Sequence, residues 1–125
     1  MAYGAFREVK GTIAEREWCI ADQITTTGVS SCIIVVSLIG SNLFGIHLSI
    51  FGEDSVFAPE DADAVGKIMR DKGVDMGKIR IFGEIDFWGV DVPGYARLMS
   101  VLNNPGSACH HQRSGNITIT KSDVG

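Results

Sequence analysis

Ser31-Cys32-Ile33-Ile34-Val35-Val36-Ser37-Leu38-Ile39, then Gly40-Ser41-Asn42, then Leu43-Phe44-Gly45-Ile46-His47-Leu48-Ser49-Ile50-Phe51: this stretch decides the fold. Its first nine residues are β-branched and nearly continuous in apolar side chains, as expected of a strand covered on both faces. Gly40-Ser41-Asn42 is a turn signal. The following residues alternate. Phe44, Ile46, Leu48 and Ile50 fall on one face, and Gly45, His47 and Ser49 on the other. Two such strands around a tight turn predict a β-hairpin.

Outward from the hairpin, residues 18–24 read as a short strand. Pro59–Lys72 is the clearest helix: Pro59 suits the first helical position, and Glu60, Asp61 and Asp63 suit the positive end of the helix dipole. Ala62, Val65, Ile68 and Met69 keep helical spacing, and Gly73 supplies the stop. Residues 78–85 read as a strand. Residues 95–102 read as a second helix, and residues 116–121 as a last strand with Ile117 and Ile119 alternating against threonines. Helices follow the hairpin rather than precede it. The expected fold is therefore α+β: an antiparallel or mixed sheet with about two helices packed on it.

The 125 residues suit one domain, 1–125, against a usual ~100–200 residues per domain. Eleven basic residues against 15 acidic ones give a net charge of −4. Nucleic acid needs a cationic surface and is not expected as a partner. The three cysteines, Cys19, Cys32 and Cys109, are an odd number, which argues against a disulfide framework, and the absence of a Cys-x-x-Cys pair excludes a zinc ribbon or a thioredoxin-type dithiol. Residues 23–52 lack Asp, Glu, Lys and Arg, yet threonines, serines, Asn42 and His47 leave no apolar run of ~18 residues, so no membrane association is expected. The first 18 residues carry charges and no apolar stretch, unlike a secretory signal. The expected location is the cytoplasm.

Cys32 and His47 form the pair to examine for nucleophilic catalysis. Opposed residues in an antiparallel pair keep a constant index sum and share a face. A hairpin loop with an even number of residues makes that sum odd and places Cys32 and His47 on one face. A loop centred between Ile39 and Gly40 sets them opposite, Cβ atoms ~5 Å apart; one residue later makes them diagonal, ~7–8 Å apart. A three-residue loop separates them onto opposite faces. The competing reading makes Cys32 a small core hydrophobe in a non-catalytic α/β binding module.

The pattern Thr26-(x5)-Cys32-(x14)-His47, with Gly28-Val29-Ser30-Ser31 leading into a β-branched strand, resembles the protein-glutamine deamidases of the CheD and cytotoxic necrotizing factor type. The resemblance is carried mainly by residues 25–52. Lys78-Ile79-Arg80-Ile81-Phe82-Gly83, and the later His111-Gln112-Arg113-Ser114-Gly115 leading into a strand, are similar to the CheD order of elements. Ser31 stands where the toxin branch has Gly, and the flanks of His47 match neither branch. The resemblance implies a CheD-like fold and a Cys32–His47–Thr26 site. It also implies a target protein carrying a glutamine: a chemoreceptor, a small GTPase or a translation factor. The producing cell, or a host cell entered by an effector, would be the place of action. The thiolate of Cys32 would attack the amide carbon, and the backbone N–H groups of Cys32 and of the Gly28–Ser31 segment, Ser31 included, would hold the oxyanion. His47 would protonate the leaving ammonia and then activate water, with Thr26 orienting its ring. No metal or organic cofactor is required. A cysteine protease or transglutaminase shares this acyl-enzyme chemistry.

Phe87-Trp88-Gly89, just after a strand, places Trp88 as a candidate wall of a substrate groove. Cys109-His110-His111 invites a metal reading, but adjacent strand residues point to opposite sides. Only Cys109 and His111 are then left to share an ion, and loop residues are the expectation.

Overall fold

The computed structural model describes residues 3–29 and 31–124. The elements are β1 (Arg7–Glu8), β2 (Thr12–Ile13), β3 (Glu17–Ala21), β4 (Gln23–Val29), β5 (Ile33–Ile39), β6 (Asn42–Leu48), α1 (Pro59–Lys72), β7 (Arg80–Gly83), α2 (Ile85–Asp91), α3 (Tyr95–Val101), β8 (His110–Gln112), β9 (Gly115–Thr120) and α4 (Lys121–Val124). One mixed sheet runs β1-β3-β6-β5-β7-β8 and a second runs β2-β4-β9. The architecture is α+β.

The hairpin forms as its alternation dictates. Ile39 pairs with Asn42 and Ile33 with Leu48, leaving the two-residue loop Gly40-Ser41, where Gly40 takes φ 59. Such short loops favour residues that tolerate positive φ. β5 and β6 become the middle of the large sheet, and both faces are covered. Ile33, Val35, Phe44, Ile46 and Leu48 pack towards α1, α2 and α3, against Val65, Met69, Trp88 and Leu98. Cys32, Ile34, Val36 and Leu43 pack the other way, against Ile13, Ile24, Ile117 and Ile119 of the small sheet. The layers are thus helices, large sheet, small sheet.

Helix α1 keeps the expected bounds. Ala58 N–H donates to Asp61 Oδ2 at 2.9 Å, and Gly73 ends the helix in the left-handed region at φ 77. Three expectations need correction. The strand expected over residues 18–24 breaks at exposed Asp22, and its halves enter different sheets: Cys19 and Ile24 are both buried, but from opposite sides of one interlayer. The strand expected over residues 78–85 is shorter because Gly83, at φ 127, turns the chain out of the sheet. The described residues hold four helices rather than about two. α2 carries no helical pattern in the sequence, because only Trp88 among its seven residues is buried, too few to make a periodic stripe. No helix among the described residues is long and apolar enough to cross a membrane.

Candidate active site between the two sheets

The hairpin register pairs Ile34 with His47, so Cys32, two residues earlier on the same face, is the diagonal neighbour of His47. This is the even-loop arrangement with its centre between Gly40 and Ser41. Both side chains enter the layer between the sheets, Cys32 2% and His47 1% exposed. Thr26 enters the same layer from β4. It is fully buried, whereas Thr25 is half-buried and Thr27 exposed. Strand alternation selects Thr26 of the three threonines. Gly45 makes room for this meeting of sheets, since a Cβ there would lie 2.7 Å from Ile24 Cδ1.

The hydrogen bonds differ from the expected triad. His47 Nδ1 meets the Ile13 carbonyl at 3.3 Å, and Ile13 is the register partner of Thr26. A carbonyl can only accept, so this contact places the proton on Nδ1 and leaves Nε2 as the basic nitrogen. Neither His47 Nε2 nor Thr26 Oγ1 has a hydrogen-bond partner, and both are buried. The ring is therefore oriented by a backbone carbonyl beside Thr26, not by the Thr26 hydroxyl. Strand periodicity says nothing about main-chain carbonyls, so this partner had no signal in the sequence.

Nor does an ion pair lower the thiol pKa here. Cys32 Sγ donates to Glu15 Oε2 at 3.8 Å. Burial, and secondly the Glu15 charge, push the Cys32 thiol up to about 11. Burial pulls His47 down from its ordinary value, against smaller upward pulls from the Ile13 carbonyl and the charges of Glu15 and Glu17. Both shifts favour thiol plus neutral imidazole over thiolate plus imidazolium. Glu15 had no signal either. It sits in a turn closed by Glu17 N–H to the Ala14 carbonyl at 3.1 Å, and the left-handed residue of that turn is Arg16, φ 61, where Gly or Asn would have announced it.

The peptide before Cys32 is held firmly. The indole N–H of Trp88 donates to the Ser31 carbonyl at 2.8 Å. A trans peptide points its C=O and N–H in opposite directions, so this bond aims the Cys32 N–H away from the helix layer. Trp88 is fully buried, which corrects its expected place in a substrate groove: it anchors Ser31 from inside the core, and its neighbour Phe87 is the exposed aromatic. Gly83 brings β7 against the same segment, and a Cβ there would lie 2.4 Å from the Cys32 carbonyl. Ser30, part of the expected oxyanion backbone, lies outside the described residues.

Cys109 Sγ accepts from Arg80 Nη1 at 3.5 Å, while His111 stacks on Phe82 with ring centroids 4.8 Å apart. Among the described residues no three His, Cys, Asp or Glu side chains group closely enough to hold a metal ion. Comparison with protein-family models, with curated proteins and with solved structures found no match.

Proposed function

We propose that this protein is a cysteine-dependent amidohydrolase that converts a glutamine of a target protein to glutamate. One observation carries the reading: Cys32, His47 and Thr26 all enter one buried layer, with the His47 ring pinned through Nδ1 and its basic Nε2 unpartnered. A buried imidazole nitrogen and a buried hydroxyl without partners are costly in a purely structural core. Their cost is accounted for if a substrate amide or reacting thiol engages them.

With both groups neutral at rest, attack uses His47 as general base. Nε2 takes the Cys32 proton as Sγ bonds to the amide carbon, and the carbonyl π pair moves to oxygen. The Cys32 N–H is the donor in reach of that oxyanion. Collapse expels ammonia with the proton returned from Nε2, leaving a thioester. Water, deprotonated by Nε2, then attacks the thioester and releases glutamate and the thiol. The test is the intact mass of candidate target proteins after incubation. A gain of about one dalton per site, absent with Cys32→Ser, supports the reading; no gain in any target overturns it.

The burial of Cys32 and its raised pKa favour a second reading, in which the thiol is a core side chain of a binding module. The two part on the Cys32→Ala variant: the binding module keeps its partner, the deamidase loses turnover.

A further inference from the structure

We propose that the cleft of about 390 Å³ lined by Ala5, Arg7, Glu15, Arg16 and Glu53 is the entrance to Cys32 for a primary carboxamide side chain, and that Glu15 is its gate. This rests on the deamidase reading for its substrate, and on geometry alone for the route. A buried thiol needs a path from solvent. Glu15 belongs to both ends of one: it lines the cleft and its Oε2 contacts Cys32 Sγ. Two buried polar atoms without partners, His47 Nε2 and Thr26 Oγ1, face the same layer that Cys32 enters.

The rest of the cleft wall is anchored. Arg16 N–H donates to the His47 carbonyl at 2.8 Å, and Arg16 Nη1 reaches Tyr3 O at 3.4 Å and Glu53 Oε2 at 3.3 Å. Arg7 pairs with Glu17 at 2.8 Å. Glu15, by contrast, is an exposed side chain at the second position of its turn, and its contact with the thiol is a weak one. Rotation about its side-chain bonds opens the path while the turn backbone stays on β6. The wall offers both guanidinium donors and carboxylate acceptors. That suits a carboxamide, which accepts through oxygen and donates through nitrogen. The volume lies at the small end of ligand clefts and fits one side chain.

Iodoacetamide, itself a small carboxamide, is the probe, with alkylation followed peptide by peptide in the otherwise unaltered protein. Glu15→Ala is expected to raise the rate at Cys32 at least tenfold, and Glu15→Gln by a smaller factor: both remove the charge that pushes the thiol up, but the Gln keeps its bulk in the path. Adding Ala5→Trp, which fills the cleft, should return Glu15→Ala to near the wild-type rate. Fully buried Cys19 monitors unfolding. Should Glu15→Ala expose Cys19 as well, Glu15→Gln carries the test. The proposal is overturned if no Glu15 variant accelerates Cys32 ahead of Cys19, or if Ala5→Trp leaves the acceleration intact. Since alkylation needs no deamidation, a gate that behaves as expected in a protein that changes no target mass would remove the deamidase reading alone.

Discussion

At the scale of single residues, Thr26 separates structural from chemical roles most sharply. Its hydroxyl is buried and makes no hydrogen bond. Thr26→Val removes an unsatisfied polar group at nearly constant shape, so it is expected to stabilise the fold by about 1 kcal/mol. If the hydroxyl serves substrate, the same variant loses turnover, roughly 10–100-fold on the scale of an orienting contact. Chemical denaturation and target-mass kinetics on one preparation check both; a destabilised Thr26→Val would show that the hydroxyl has a partner after all. Cys32→Ser should keep the fold and abolish turnover, since a hydroxyl beside the same imidazole is a far poorer nucleophile. Circular dichroism checks the first part. Residue chemistry was partly legible beforehand. The pairing of Cys32 with His47 follows from hairpin spacing, and Thr26 is what the deamidase resemblance implies. The Ile13 carbonyl and Glu15 could not be read, because one is a main-chain atom and the other belongs to a turn without turn residues.

At the scale of elements, two glycines set how closely strands approach the site, and they differ in what a methyl group would meet. At Gly83 it meets the Cys32 carbonyl at 2.4 Å, on a backbone at φ 127 that L residues avoid. Gly83→Ala is expected to cost about 3–5 kcal/mol, combining strain and overlap, and to disturb Cys32 directly. At Gly45 the methyl meets the tip of Ile24, which can give way. Gly45→Ala is expected to cost about 1–2 kcal/mol. Urea midpoints at constant slope check the ranking, and equal costs would refute it. The hairpin and α1 were legible because each carries its own pattern, period two or helical spacing, and its own stop. The break at Asp22 and helix α2 were not. Both are decided by which layer covers the chain, and a single buried Trp88 carries no period.

At the scale of the whole molecule, stability should have a dome in pH whose edges belong to buried groups. Cys32 is raised from 9.0 to about 11 and Tyr3 from 10.0 to about 12. Below pH 9 the folded and unfolded thiols are both protonated and the contribution is intact. Between pH 9 and 11 the unfolded thiol ionises first, so stability falls, by on the order of 2–3 kcal/mol for Cys32 once ionisation is complete. Tyr3 extends the loss towards pH 12. On the acid side, His47 is lowered from 6.5, so stability falls as pH drops below 6.5 and the unfolded imidazole takes up its proton first. Denaturation midpoints across pH should show Cys32→Ala flattening the alkaline limb and His47→Gln the acid limb; unchanged limbs would place these groups in water rather than in the core. What the sequence determined by itself was local: a covered strand pair around a tight turn, one capped helix, and, for any loop of even length, a face shared by Cys32 and His47. Those follow from covalent geometry, which repeats every two or 3.6 residues and leaves its period in the side chains. What only the tertiary structure decided was the second sheet laid over that face, the carbonyl that pins His47 and the carboxylate over the thiol. These join residues far apart in the chain, through main-chain atoms and turns that carry no period, and are set by which surfaces can be buried together.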